Sequence, residues 1–368
     1  MITSSLSIGV SLHNARPADQ MLTINGMAQN AIYLYHLLVE LGHKPFLVLS
    51  EDHSSNAIQL GAQTYPTFSP QEIFNGKHRT DLILEAGCAL KEQNRTKLRD
   101  QWGVRFVSVK YGHTLTHIME QMCFEGELAV GSIVPKPEMV WASPHFESSF
   151  SFLETLYSQQ VRCCPYIWEP MFIGKPFAHN RRLKTPNIRI LEPNQSTLKN
   201  ALVPVTILEQ LYREKPDSFD KAYIYNAEHF SNQDGFLHNV VANMGVLNSK
   251  NKRSFFGGRQ PFDEIFTQRD VLLGHQWHCE LNYLYLEALY RNIPLVHNST
   301  MLHGAGYYYP EHDIQQGKDA LLQAINDKKT KAYHDNAKAA LARFSIHNPE
   351  VQASYHQLLA EAMSQRII

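Results

Sequence analysis

Two glutamates in the last third of the sequence have a spacing that allows both to act on one ligand. Glu280 and Glu287 stand seven residues apart in an apolar stretch, where we expect a helix over residues 280–291. Seven residues bring an α-helix back to nearly the same face, about 10 Å further along its axis. Carboxylates inside a packed domain need partners, and the hydroxyl groups of a sugar or ribose would serve. A lysine, an arginine or backbone amides would serve too, and glutamate is common in first helical turns.

The surrounding segment, residues 271–309, contains the elements that would position this pair. An apolar run at 271–273 predicts a strand that ends at Gly274, and the run at 294–297 predicts a second buried strand. Ligands of open α/β sheets bind at the carboxyl ends of strands and at helix N-termini. Polar and aromatic residues at these places are therefore candidate ligand contacts: His275, Asn282, Tyr283, Asn298 and Ser299.

The first third of the chain predicts the opening of a doubly wound domain. Residues 6–12 and 44–50 have strand patterns, and an apolar stripe at helical spacing covers residues 28–41. Asn25 and Gly26 lie between the first strand and this helix, as an ordinary turn or as a tight turn at a ligand. His113 follows the strand at 104–109 and is either a general acid or base or one of many loop histidines.

The order of predicted elements gives two domains. One βα series occupies residues 1–170, a basic, proline-containing linker follows at 171–187, and a second series occupies residues 188–330. A helical tail at 331–368 is long enough to cross back over the first domain. The fold class is therefore α/β, with two Rossmann-like doubly wound domains. A cleft between two such domains is the expected ligand site.

Two cations of the second series follow predicted strand ends. Lys199 and Arg259 are candidates for a phosphate clamp, and amides near Ser196 and Thr197 would help if these residues open a helix. The simpler alternative is that each cation is an ordinary solvated surface charge.

Composition limits the function classes. The 368 residues carry a net charge of −1, which argues against a strongly basic nucleic-acid binder. Five scattered cysteines without a CxxC pair indicate a reduced, cytoplasmic protein. No histidine or carboxylate spacing is typical of a metal site, so we expect neither a metal nor another cofactor. No apolar run has the length of a membrane span, and the N-terminus lacks the pattern of a secretory signal.

Several sequence blocks, in order along nearly the whole chain, carry a family resemblance. They are NGMAQN, KYGH, YIWEP, ILEPNQSTLK, GHQW, NYLYLEALY, PLVHNS and GYYYPEHD. Together they resemble a bacterial family of unknown function that is grouped with the GT-B glycosyltransferases. The resemblance implies two Rossmann-like domains that face each other across a cleft. The pair Glu280 and Glu287 looks like the glutamate pair of many retaining members, in which the first lies near the donor sugar and the second holds the ribose.

The same resemblance implies roles for other residues. Asn25, Gly26, Gln29 and Asn30 match a first-domain loop that faces the donor, and His113 falls near the transferred sugar. Lys199 would neutralise the diphosphate, while Arg259 and Phe262 lie where a nucleobase is held. The chain departs from the family pattern at His278, where an acidic residue often follows the loop tryptophan. This departure puts the role of Glu280 in doubt and makes Glu287 the firmer assignment.

The reaction that the resemblance implies is transfer of a hexosyl or pentosyl group from a nucleotide-sugar donor to a glycan or other hydroxyl acceptor. Such enzymes generally work without a metal, and the glutamate pair favours retention of configuration. Three alternatives stay open. The protein is an epimerase or hydrolase of nucleotide sugars, a non-catalytic sugar- or nucleotide-binding module, or an enzyme that glycosylates a modified nucleic-acid base. The neutral net charge argues against nucleic acid without excluding it.

Overall fold

The computed structural model describes residues 5–12, 26–49, 57–60, 63–125, 137–178, 185–228, 230 and 233–364. The chain forms two compact units, one of Met1–Glu169 with Arg343–Ile368 and one of Pro170–Ala342.

The strands of the first unit are β1 Ser7–Leu12, β2 Lys44–Leu49, β3 Ala57–Leu60, β4 Gln63–Phe68, β5 Leu82–Glu85, β6 Arg105–Lys110, β7 Met139–Ala142 and β8 Val161–Cys163. Its helices are α1 Gly26–Glu40, α2 Pro70–Phe74, α3 Glu92–Trp102, α4 Thr114–Glu120, α5 Phe150–Tyr157 and, from the end of the chain, α12 Pro349–Ser364.

The strands of the second unit are β9 Asn187–Ile190, β10 Ala222–Tyr225, β11 Ser254–Gly257, β12 Asp270–Leu273, β13 Leu295–His297 and β14 Tyr307–Tyr308. Its helices are α6 Leu202–Glu214, α7 Asp234–Asn239, α8 Phe262–Ile265, α9 Tyr283–Tyr290, α10 Ile314–Asn326 and α11 Lys331–Ala342.

Each unit is built on one mainly parallel sheet with the same internal order. The first sheet runs β3-β4-β2-β1-β5-β6-β7-β8, and only the β3–β4 pair is antiparallel. The second sheet runs β11-β10-β9-β12-β13-β14 and is parallel throughout. In each, the order reverses beside the first strand of the unit, between β1 and β5 and between β9 and β12. This is the doubly wound arrangement, so the prediction of two Rossmann-like domains is confirmed.

The central strands form because both their faces are covered. β12 is buried at all four residues, and its apolar members Val271, Leu272 and Leu273 are fully enclosed. Such continuous apolar runs are typical of parallel strands with helices on both sides. Gly317 lets α10 approach α6 closely, because a Cβ at this position would lie 2.5 Å from the side chain of Ile207.

Some elements differ from the sequence-based expectation. Ser196 and Thr197 do not open a helix, because the chain makes a tight turn closed by the bridge between Ser196 and Lys199, and α6 begins only at Leu202. The antiparallel pair β3–β4 was not predicted, since QTYPTF contains a proline and little alternation of apolar residues. The segment 306–309, Gly-Tyr-Tyr-Tyr, contains a short edge strand, β14.

The helical tail is divided between the two units. α11 belongs to the second unit, whereas α12 packs in the first. The Tyr355 hydroxyl donates to the Pro165 carbonyl at 2.9 Å, and Glu361 pairs with Arg162 at 2.6 Å. The buried apolar residues of α12, such as Leu359, complete the core of the first unit.

Two properties concern only the residues that the structure describes. No helix among them is long and apolar enough to span a membrane. No group of three or more histidine, cysteine or acidic side chains among them is arranged to hold a metal ion.

A buried ion pair joins strands at the amino end of the second sheet. Asp270, fully buried, lies 3.2 Å from the Nε of Arg189 and accepts hydrogen bonds from the Asn187 amide and the Thr267 N–H at 3.0 and 2.6 Å. Removing one partner of a buried pair leaves the other charge uncompensated.

We therefore expect Asp270→Ala to lower the free energy of unfolding of the second unit by about 3–5 kcal/mol. The matched control is Asp217→Ala, because Asp217 is 94% exposed and lies 3.4 Å from Arg253. An exposed pair contributes about 0–1 kcal/mol. Urea denaturation of both variants checks the contrast, and similar losses in the two variants would contradict it.

Candidate functional site

Three loops meet at the carboxyl edge of the second sheet. They follow β9 (191–201), β12 (274–282) and β13 (298–306). Because the strand order reverses between β9 and β12, the connections that follow these neighbouring strands diverge and leave a crevice. Open α/β sheets bind ligands at this point.

A buried carboxyl, that of Glu192, links two of these loops. Glu192 is fully enclosed; its Oε1 accepts the N–H of His275 at 2.9 Å, and its Oε2 accepts the side-chain amide of Gln276. Burial raises the pKa of Glu192 to about 8, although the hydrogen bond from His275 and the charge of Lys199 act in the opposite direction. The sequence-based site did not include Glu192. The pattern that could have identified it is an acidic residue almost directly after a buried strand.

Asn194 joins the loops that follow β9 and β10. Its side-chain nitrogen donates to the carbonyls of Glu192, Tyr225 and Asn226 at 3.0, 3.1 and 3.2 Å. Its side-chain oxygen accepts the N–H of Ala201 at 2.7 Å. The backbone φ of Asn194 is +56°, a left-handed conformation that asparagine tolerates better than most residues. This one side chain therefore satisfies four backbone groups and fixes the entrance to α6.

Asn298 joins the loops that follow β12 and β13. Its Oδ1 accepts the N–H of Gln276 at 2.9 Å, and its Nδ2 donates to the Gln276 carbonyl at 2.8 Å. The predicted ligand contact Asn298 thus holds the backbone of a neighbouring loop, and it is 7% exposed.

His275 lies in the same crevice as a neutral imidazole. The Tyr309 hydroxyl donates to the Gly274 carbonyl at 3.0 Å, so the Nδ1 of His275, 3.0 Å from that hydroxyl, is the donor of this pair. The Nε2 is buried and has no hydrogen-bond partner among the described residues. Burial and the neighbouring His312 lower the pKa of His275 to about 4.

Ser299 is fully buried beside another neutral histidine. The N–H of Ser299 donates to the Nδ1 of His297 at 3.1 Å, and the Nε2 of His297 donates to the Ala305 carbonyl at 2.8 Å. Burial lowers the pKa of His297 to about 4. Within the described part of the chain, the buried Ser299 hydroxyl has no hydrogen-bond partner.

The expected arrangement of the glutamate pair is wrong in one respect. Glu280 lies outside the helix, three residues before α9 begins at Tyr283. The reason is Asn282, which is extended and caps α9 by accepting the N–H of Leu284 at 3.1 Å. Glu280 instead accepts the N–H groups of Thr300 and Met301 at 2.9 and 3.2 Å. The shared helical face therefore does not exist, and Glu280 stabilises the short 3₁₀ turn at 300–302.

Glu287 lies inside α9 and is 6% exposed. Nearly all of this helix is enclosed, including Tyr283, which is 5% exposed. Glu287 is thus a polar side chain held deep within the unit, where carboxylates need partners.

The predicted cations occupy different places along the carboxyl edge. Lys199 ends the turn after β9, close enough to influence the ionisation of Glu192. Arg259 is exposed and follows β11, two strands away from β9, which corresponds to about 10 Å. Phe262 is 5% exposed and stacks on Phe266 with ring centres 4.3 Å apart, so it packs in the core of the unit.

An exposed aromatic side chain borders the crevice. Trp277 is 46% exposed, and its backbone N–H donates to the Leu198 carbonyl at 2.9 Å. Its ring centre lies 5.3 Å from that of His278 and 5.6 Å from that of His312. The sequence-based site did not include Trp277, although its place in a loop after a buried strand was visible.

The candidate residues of the first unit lie near the carboxyl ends of its strands. His113 follows β6 and caps α4, with its Nδ1 accepting the N–H of Thr116 at 3.3 Å. Gly26 is the first residue of α1, where Gln29 and Asn30 are 4% and 5% exposed. Asn25 lies outside the described residues.

A family model described as "Protein of unknown function (DUF2827)" matches residues 8–359. The chain belongs to this family. Among curated proteins, none matches the sequence.

Solved structures show which fold the family has. Anabaena HepE in complex with UDP and glucose matches with a TM-score of 0.57 and 13% identity, over 96% of this chain and 99% of that chain. An α-glucosyltransferase in complex with UDP and a DNA that contains a HMU base matches with a TM-score of 0.56 and 10% identity, over 98% and 100%. These are GT-B glycosyltransferases, and the match over their full lengths shows that this DUF2827 member has the GT-B fold.

A third match covers less of its partner. A mutant of S. aureus TarM, in complex with fondaparinux, α-GlcNAc-glycerol and UDP, matches with a TM-score of 0.48 and 10% identity. The match covers 77% of this chain, and the chain spans 55% of that protein.

The structure of the loop after β9 leads to a test of stability. Asn194→Ala removes the partners of four backbone groups and places alanine at a positive φ, so we expect the free energy of unfolding to fall by about 2–4 kcal/mol. Asn194→Gly relieves the conformational strain alone and should recover about 1 kcal/mol of this loss.

Urea denaturation measures both variants. The control is Asn326→Ala, because Asn326 is exposed and donates to the Leu322 carbonyl of its own helix, at 2.9 Å. We expect a change of about 0.5 kcal/mol or less in the control. A loss in Asn194→Ala no larger than that of the control would show that the loop does not depend on this side chain.

Proposed function

We propose that the protein is a glycosyltransferase that moves a sugar from a nucleotide-activated donor to a hydroxyl group of an acceptor and releases the nucleoside diphosphate. The observation that carries this proposal is the crevice at the switch point of the second sheet, which is bordered by Lys199 and rigidly held by Glu192, Asn194 and Asn298. Doubly wound sheets hold nucleotides in such a crevice. The two well-matched structures, both complexes with UDP, support a uridine nucleotide and a hexose.

The reaction places a growing negative charge on the leaving diphosphate. Lys199, half-buried beside the crevice, would stabilise this charge, and Arg259 would contribute from the loop after β11, two strands away. Donors that are already oriented stabilise a transition state without further reorganisation. In this proposal these cations and the loop amides act without a metal.

Glu287 is the residue that we propose for the ribose. It is enclosed in α9, whose capped N-terminus faces the loop after β12. Glu280 is already occupied by two backbone amides and is less suited to the donor sugar. We propose retention of configuration on the resemblance of the glutamate pair to that of retaining enzymes.

The acceptor is proposed to be a glycan or another hydroxyl compound, handled by residues of the first unit. His113 has its Nδ1 engaged by the N–H of Thr116, which leaves the Nε2 side to carry the proton. A histidine in this state can donate a hydrogen bond to a sugar hydroxyl. Gly26, Gln29 and Asn30 would contribute from the start of α1.

Binding of UDP tests the assignment of the donor site. We expect Lys199→Ala to weaken UDP binding at least tenfold, because the loss of one charged hydrogen bond costs about 1.5–3 kcal/mol. Lys215→Ala is the control, because Lys215 is an exposed lysine at the opposite end of α6. Isothermal titration calorimetry measures both, and equal affinities for UDP in wild type and Lys199→Ala would refute the site.

Turnover tests the assignment of Glu287. We expect Glu287→Gln, which preserves the shape of the buried side chain, to reduce release of UDP from UDP-glucose at least tenfold. The assay is run with and without candidate hydroxyl acceptors. Release that needs no acceptor would favour a hydrolase, and UDP binding without any release would favour a binding module.

A further inference from the structure

Glu192 differs from three other buried carboxylates of the described residues in what lies beside it. Glu85, Glu209 and Asp270 are 4%, 4% and 0% exposed. Each lies near an arginine nitrogen, in the pairs Glu85–Arg95 at 3.5 Å, Glu209–Arg213 at 2.6 Å and Asp270–Arg189 at 3.2 Å.

Glu192 has no ion pair within the described part of the chain. Its hydrogen-bond partners are two neutral groups, the N–H of His275 and the side-chain amide of Gln276. The cost of burying an ionised carboxylate that has no ion-pair partner favours the neutral acid. The geometry therefore makes Glu192 a group that holds its proton at neutral pH.

We propose that Glu192 is a positioning residue that keeps its proton while a nucleotide is bound. In the neutral form it holds the loop after β12 through Gln276 and leaves the charge of Lys199 to the ligand. Ionisation above neutral pH weakens nucleotide binding. The identity of the ligand rests on the proposed function, whereas the proton on Glu192 does not.

The hydrogen bonds of Gln276 show how the proton acts. When Glu192 is ionised, both its oxygens accept, one from His275 and one from the Gln276 amide nitrogen. When Glu192 is neutral, one oxygen must donate. The Gln276 amide then turns by 180° and presents its oxygen, while its backbone stays fixed by Asn298. One proton therefore decides which edge of the buried Gln276 amide faces Glu192.

The neighbours of Glu192 keep a constant charge over the relevant pH range. Burial raises the pKa of Tyr285, from α9, and of Tyr309, after β14, well above 10, while burial and His312 lower that of His275 to about 4. All three are neutral between pH 6 and pH 9. Lys199 is the charged neighbour. In this set, Glu192 is the group whose charge changes.

The direction of the pH effect follows from the burial of Glu192. Burial raises its pKa from 4.5 to about 8 in the folded protein. The resulting contribution to stability is fully present below the unfolded pKa and is lost as the pH rises through the folded pKa. An anionic ligand also prefers the neutral form of Glu192, because the charge of Lys199 is then left to the ligand. Its affinity therefore falls by up to tenfold per pH unit above this range.

The experiment uses UDP as the probe and compares wild type with Glu192→Gln. The new amide donates to the Gln276 oxygen and accepts from His275, as the neutral acid does. We expect the Kd of wild type for UDP to rise three- to tenfold between pH 7.5 and pH 9.0 at constant ionic strength. The Kd of Glu192→Gln should change less than twofold.

Glu209→Gln is the matched control, because it is the same change at a buried, arginine-paired acid on α6. It should follow the pH dependence of wild type. A flat wild-type profile, or the same slope in wild type and Glu192→Gln, would overturn the proposal. If Glu192→Gln does not fold, a flat wild-type profile still overturns the proposal.

A second measurement needs no ligand. We expect the stability of Glu192→Gln relative to wild type to increase from pH 5.5 to pH 9.0 in urea denaturation. If the stabilities of the two proteins change with pH in parallel, Glu192 does not hold its proton at neutral pH, whether or not UDP binds. If the two stability curves diverge but UDP does not bind at any pH, the result supports a protonated Glu192 and refutes the donor site.

Discussion

Backbone groups that leave the edge of a parallel sheet lose their ladder partners, and buried ones must find others. This constraint governs the carboxyl edge of the second sheet. The loops there lack the regular hydrogen-bond ladder of a sheet, so side chains complete much of the hydrogen bonding. Asn194, Asn226 and Asn298 donate to carbonyls, and Glu192 accepts from His275. The loops around the crevice are therefore rigid, because buried side chains hold their backbones. Exposed groups of these loops, such as Trp277, are positioned in this way.

The architecture was predictable because it depends on patterns that are local in sequence. Apolar runs such as Val271–Leu273 and the alternation of strand and helix signals predicted both doubly wound units and most strands. The strands β3, β4 and β14, at or next to a sheet edge, were not predicted, because they are buried on fewer sides and have mixed sequences. The first residue of a helix depends on which side chain accepts hydrogen bonds from its first N–H groups. Asn282 does so in α9, and the helix therefore begins after Glu280.

The site was only partly predictable, since proximity across loops has no sequence signature. His275, Asn298 and Lys199 were expected at strand ends, and the structure places them around one crevice. Glu192 was overlooked, although it lies between them, because its importance comes from being enclosed by partners from a loop more than eighty residues away. Phe262, expected at a ligand, is an ordinary core residue that stacks on Phe266.

The placement of α12 bears on how the chain is synthesised. The first unit needs α12, yet the whole second unit lies between α12 and the rest of the first unit in the sequence. Domains generally fold as they emerge from the ribosome. The second unit can fold before α12 is made. Most of the first unit emerges earlier, but its core is incomplete until α12 is made, because Leu359 of α12 covers part of it. A nascent chain of this protein thus completes its later-made half first.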